Sequence, residues 1–197
     1  MTFTAEEVAR ERDLNSLYVL TVTVVLATVT MTFGALILAF LLRSQVSLNW
    51  NHVALPRTLW VSTAILLASS ATCEFARRRL RHRDQSAFFR LTAVTTALAV
   101  LFLASQTTAW LQMISRGILM DRNPHPGFVF IFSGLHAAHI LLGTAGFVWL
   151  LTRTKEPATG PKYQMNTRVI ANAVAIFWHY LDFLWIVLFV LLLTWRQ

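Results

Sequence analysis

Five apolar stretches, at residues 17–42, 58–76, 91–115, 128–152 and 169–195, alternate with short polar segments along this 197-residue chain. Each approaches or exceeds the roughly 20 residues of helix that span a ~30 Å hydrocarbon core. None shows the period-two alternation of a membrane β-strand, so the pattern predicts an all-α integral membrane bundle of five transmembrane helices. The second stretch is the shortest, because Arg57 and Glu74 bound its charge-free run. Glu74 precedes Arg77 and Arg78 by three and four residues, offsets that bring side chains together on a helix.

The connecting segments carry turn-forming residues such as NPHPG at 123–127 and EPATGPK at 156–162. They are too short to be domains, so residues 1–197 form one membrane domain, and any chemistry happens inside the bilayer or on a partner. Residues 1–16 are charged and followed by an apolar run too long for a signal peptide. They are expected to form a short cytoplasmic helix. Thr4 and Glu7 have capping-box spacing, and Asn15 or Ser16 is placed to cap the first membrane helix.

Composition agrees with this class: 56% of residues are hydrophobic and 13% charged. With five crossings, the N-terminal segment and the second and fourth loops hold twelve of the 17 Lys and Arg residues, leaving five for the other side. The excess predicts a cytoplasmic N-terminus and an outside C-terminus. Five arginines fall in RRRLRHR, residues 77–83. The run reads as a topology signal, or as a site where Arg77, Arg78, Arg79 and Arg81 hold an anionic lipid headgroup. Lacking a folded reading domain beside it, it does not read as a nucleic-acid site. Cys73 is the only cysteine, which excludes an internal disulfide and a cysteine-based metal site.

The candidate chemistry lies in the last two helices. SGLHAAH carries His136 and His139, and FWHYLDFLW carries His179 and Asp182, each pair three residues apart. Ionisable groups at bilayer depth are costly and face protein, water or a partner. Counting rise from the helix ends puts His139 level with His179, and His136 level with Asp182. If the helices are neighbours, Asp182 is expected to pair with His136. Four readings compete: a bis-histidine haem on His139 and His179, a metal held by all four groups, a proton path along them, and interhelical hydrogen bonds of about 1 kcal/mol each that fasten two helices. The small residues Gly134, Ala138, Ala171, Ala173 and Ala175 favour close helix packing, and hence the fastening role. Trp178 and Trp185, seven residues apart, share a stripe suited to packing. Thr21, Thr23, Thr28, Thr30 and Thr32 are expected to return their hydroxyls to the first helix's own backbone.

These residues carry a family resemblance. FWHYLDFLW resembles the aromatic-WHF-x-D-x-x-W signature of subunit III of the haem-copper cytochrome c oxidases, with Trp178, His179, Asp182 and Trp185 in register. FIFSGLHAAHILLGT, residues 130–144, is similar to that family's G-x-H-x-x-H-x-x-x-G helix at Gly134, His136, His139 and Gly143. LPRTLWVSTAILLASSAT and SQTTAW resemble earlier parts of the family pattern. The likeness covers residues 56–195 and points to the short bacterial form with five helices. It implies a non-redox subunit of the bacterial inner membrane, with no cofactor of its own. Such a subunit packs against the large catalytic subunit I, which carries the haems and copper, and supports proton uptake, lipid binding and sustained oxygen reduction. Asn172 stands where members commonly have a glutamate, and the first helix lacks a carboxylate found in many longer members. A sibling serving a quinol oxidase or nitric oxide reductase shares the fold. A stand-alone b-type cytochrome and an ion or proton carrier are the readings from other classes.

Overall fold

The computed structural model describes residues 5–46, 56–118, 124–154 and 161–194. They form five helices: α1 (Ala5–Val46), α2 (Thr58–Arg81), α3 (Gln85–Ser115), α4 (Pro124–Thr154) and α5 (Pro161–Thr194). All five contain spans long and apolar enough to cross a membrane.

Each helix outruns its apolar stretch, because backbone hydrogen bonding continues into the polar interface. The largest difference is at the N-terminus, where α1 runs from Ala5 without a break at Asn15 or Ser16. The expected separate helix and its cap are therefore replaced by one continuous element. The chain passes directly from charged to apolar residues there, with no glycine or proline to interrupt the i→i−4 ladder. The Thr4 capping-box position and Trp195 lie outside the described residues.

Contacts between helices define the arrangement. α2 packs on α3, α3 on α4, α4 on α5, and α5 back on α2, closing a four-helix bundle. Among the described residues α1 contacts α4 and α5 and no other helix, and it lies along their seam. Its outward face, including Leu20, Met31 and Leu38, is exposed, as suits a helix whose neighbours are lipid or other chains. Phe33 and Phe40 point inward and are fully buried; Phe40 meets Phe128 and Phe132 of α4 edge-on. Phe102, Phe132, Trp178 and Trp185 are among the largest fully buried side chains, so the core is strongly aromatic.

The α2–α3 connection is a three-residue turn, 82–84. His82 is the C-cap of α2; Arg83 takes a left-handed conformation with φ of 61°, and its N–H bonds the Leu80 carbonyl while that of Asp84 bonds the Arg79 carbonyl. Asp84 then caps α3, accepting from the Ala87 N–H at 3.0 Å and from the Ser86 hydroxyl at 3.0 Å. These two donors hold the Asp84 carboxyl below its ordinary range, the backbone bond first.

The threonines of α1 behave as the sequence suggests. Thr21, Thr23, Thr30 and Thr32 donate to carbonyls four residues back, and Thr28 to one three back. Thr30 also meets the Tyr180 hydroxyl at 2.6 Å, a polar link between α1 and α5.

Candidate functional site

Two tryptophans one heptad apart organise the helix-packing site. α5 and α2 run antiparallel, so Trp178 and Trp185 face Ser69 and Thr63 respectively. The Trp178 indole N–H donates to Ser69 Oγ at 3.1 Å, and that of Trp185 to Thr63 Oγ1 at 3.0 Å. Each hydroxyl in turn donates to its own helix backbone, Ser69 to Leu66 at 2.7 Å and Thr63 to Leu59 at 2.8 Å. The hydroxyl is thus an acceptor for the indole without leaving its own proton unpaired, the condition under which tryptophan is buried cheaply.

The same rings reach α4 and α3. A Cβ at Gly143 would lie 2.9 Å from Trp178 Cε3, and Phe147 meets that indole edge-on at 4.9 Å. Trp185 stacks on His136 at 4.9 Å and takes the edge of Phe102 at 5.7 Å. On the third face, Trp110 of α3 donates to Ser133 of α4 at 2.9 Å. The bundle is tied by aromatic side chains with hydroxyl partners.

The four ionisable groups do not converge. His136 is fully buried, and neither ring nitrogen has a hydrogen-bond partner among the described residues. His139 bonds the Leu135 carbonyl of its own helix through Nδ1 at 2.7 Å, and its ring lies against Phe33 of α1. His179 turns to α2, with Nδ1 2.6 Å from Ser70 Oγ and Nε2 3.9 Å from Glu74 Oε2. Asp182 is buried with the Ser70 hydroxyl of α2 nearby, and neither carboxyl oxygen makes a hydrogen bond of good geometry among the described residues.

The Asp182–His136 hydrogen bond expected from their shared level is therefore not formed. The reason is helical phase: residues three apart share a broad face but differ by about 60° in direction at 3.6 residues per turn. That angle turns His139 to α1 and His136 into the bundle, and separates His179 from Asp182. His136 does join α4 to α5, by stacking. The other three groups reach α1, α2 or no polar partner, so the fastening of α4 to α5 passes to the aromatic rings.

His139 and His179 likewise face different helices and are not arranged as two axial ligands of one haem. Among the described residues, no three His, Cys, Asp or Glu side chains gather as a metal site. Gly134 also departs from expectation. Nothing lies within 4 Å of a Cβ placed there, and Ala138 is exposed, so this pair faces away from the bundle. Gly143 does allow close approach, and Ala171 and Ala175 are buried.

Glu74 binds Arg77 at 2.8 Å and Arg78 at 3.1 Å, as their spacing suggests. Arg79 lies 3.8 Å from Asp84. Three of the four arginines considered for a lipid headgroup thus have a carboxylate of this chain beside them. Sequence reasoning passed over Ser69, Thr63, Ser70 and the proximity of Glu74 to His179. The usable signal was the spacing of hydroxyls on α2, which matches the tryptophan spacing on α5 once the helices are known to be antiparallel neighbours.

Comparison with known proteins bears on this arrangement. A family model described as Cytochrome c oxidase subunit III matches residues 51–197, which contain α2 to α5 and both tryptophans. The chain belongs to the cytochrome c oxidase subunit III family. Among curated subunit III proteins, that of Corynebacterium diphtheriae is 30% identical over 140 residues, covering 71% of this chain and 66% of its own. A probable subunit 3 of Nocardia farcinica is 28% identical, covering 79% and 76% of the two chains. Subunit 3 of Thermostichus vulcanus is 25% identical over 177 residues, covering 88% and 85%. The subunit III assignment and the five apolar helices together make this a multi-pass membrane protein and a haem-copper oxidase subunit III.

Proposed function

We propose that the chain is a non-redox subunit of a haem-copper terminal oxidase in a bacterial inner membrane. There it packs against the catalytic subunit I and supports proton uptake, lipid binding and sustained oxygen reduction. The family match across residues 51–197 carries this reading. The divergence of His139 and His179 supports placing the haems and copper in partner subunits rather than on a stand-alone b-type cytochrome. The charge distribution supports a cytoplasmic N-terminus and an outside C-terminus.

For lipid, two features support the reading. An apolar groove between α1, α4 and α5, lined by Val22, Val25, Leu142, Gly146, Val174 and Phe177, suits an acyl chain. Exposed Arg78 and Arg81 at the end of α2 suit a headgroup. His136, His139, His179 and Asp182 act structurally in this view: His136 sets α4 against α5, His139 sets α4 against α1 and His179 sets α5 against α2, while Asp182 is buried within the bundle.

Purifying a tagged chain from its native membranes tests the proposal. A large haem-bearing subunit should accompany it, and a copper-binding cytochrome c domain among the partners would separate a cytochrome c oxidase from a quinol oxidase or nitric oxide reductase. A Soret band from the isolated chain, lost in His139→Ala or His179→Ala, would overturn it.

A further inference from the structure

Most ionisable side chains in membrane helices face the bundle interior, yet one pair here lies on its outer surface. His179 and Glu74 are 36% and 27% exposed, side by side on the α2–α5 face. Helical rise places Glu74 about 24 Å from Thr58 at the far end of α2, and His179 about 22 Å from Thr194 at the corresponding end of α5. Counted from those ends, both positions fall inside a ~30 Å hydrocarbon core, about 6–8 Å from its arginine-rich face. Lipid phosphates lie outside that core, so a headgroup can reach Arg78 or Arg81, whereas opposite His179 a lipid would offer only acyl chain. Exposing these polar groups to hydrocarbon is unfavourable.

The gap between the two residues shows what chemistry is missing. Nδ1 of His179 is taken up by Ser70 Oγ at 2.6 Å, which leaves Nε2, the ring's other polar atom, 3.9 Å from Glu74 Oε2 and beyond hydrogen-bond distance, as a donor in one tautomer and an acceptor in the other. No other hydrogen-bond partner meets Nε2 among the described residues. Glu74 keeps two arginines beside it, so it remains a carboxylate acceptor. Around this pair the surface is apolar and knobbed: Leu67, two turns from Glu74 on α2, is 48% exposed, and Ile176 and Phe183 on α5 are 47% and 64% exposed. Ala71, also exposed, gives a low point between them where another backbone can approach.

We infer that this α2–α5 face docks a membrane-spanning helix of another oxidase subunit, one presenting a hydroxyl or carboxamide, groups that both donate and accept, to hydrogen-bond His179 Nε2 and Glu74. The inference rests on the subunit III reading above and assigns it a contact face. The hydroxyl or carboxamide satisfies both groups at once, which neither an acyl chain nor a further cation can do. Leu67, Ile176 and Phe183 supply the surrounding packing.

A photoreactive residue placed at Phe183, and separately at Leu67, tests this in native membranes, irradiated before the oxidase is purified through a tag on this chain. Both sites are exposed, so folding is not at stake. The expected result is a covalent adduct with a membrane helix of a larger oxidase subunit, whose mapped segment carries Ser, Thr, Tyr, Asn or Gln. Glu74→Gln should lower the adduct yield several-fold. Lipid adducts alone at both positions, with the oxidase still co-purifying, would overturn the inference and leave the subunit III reading intact; adducts to a second copy of this chain would do the same. If no oxidase subunit co-purifies, the reading itself fails and the inference falls with it.

Discussion

Trp178 occupies the space that a Cβ at position 143 would need, with Cε3 only 2.9 Å from where that atom would sit. The approach of α5 to α4 is therefore set by an absent side chain. The indole cannot retreat cheaply, because its N–H is held by Ser69 on the opposite flank.

Gly143→Ala should accordingly destabilise the folded subunit by about 1–3 kcal/mol, the usual cost of overpacking a close contact. Thermal unfolding in mild detergent measures it. Adding Trp178→Phe should recover part of the loss, since the smaller ring vacates the clash.

Ser69→Ala leaves the buried indole N–H of Trp178 without an acceptor. The expected cost is about 1–2 kcal/mol. In a double-mutant cycle with Trp178→Phe, the coupling should be about 0.6 kcal/mol, typical of polar contacts between membrane helices. Additive effects of the two substitutions would contradict the hydrogen bond.

Arg83 adopts a left-handed backbone that costs a residue with a Cβ about 1 kcal/mol or more. Its replacement by glycine should raise stability by about 1 kcal/mol, with a later unfolding midpoint, provided its charge adds little at this exposed turn.

Asp84 gives the connection a pH dependence of known sign. Its folded-state carboxyl lies below the ordinary value of 3.8, held there by Ala87 N–H and then by Ser86. The cap's contribution is therefore fully present above that ordinary value and is lost as pH falls through the lower folded value. Amide exchange at Ala87 should be insensitive to this group between about pH 5 and 8 and quicken below that ordinary value once intrinsic exchange is corrected. Asp84→Asn keeps an acceptor and should flatten the acid limb.

Membership of the five-helix class was legible because lipid imposes a single-residue rule repeated over long runs: apolar side chains and satisfied backbones. The Glu74 pairs and the α1 threonine bonds were legible too, since offsets of three or four residues fix proximity within a helix. Asp182 with His136 was not, because depth sets only one coordinate of a helical residue. The angle about the axis decides which neighbour it meets, and that angle turned His139 to α1 and His179 to Glu74. Gly134 and Gly143 show the same limit: two glycines of one helix, one facing outward and one under an indole.

What the sequence determined by itself is the set of helices, the apolar span within each, their order and the family pattern they carry, all of which follow from periodicity and polarity along one dimension. Only the tertiary structure decided that α2 to α5 close into a bundle with α1 laid on the α4–α5 seam, and that tryptophans with hydroxyl partners join helices where charged groups were expected to. The physical reason is that these choices depend on the rotation of each helix about its axis and on a clearance as small as one methyl group, quantities set by three helices packing at once.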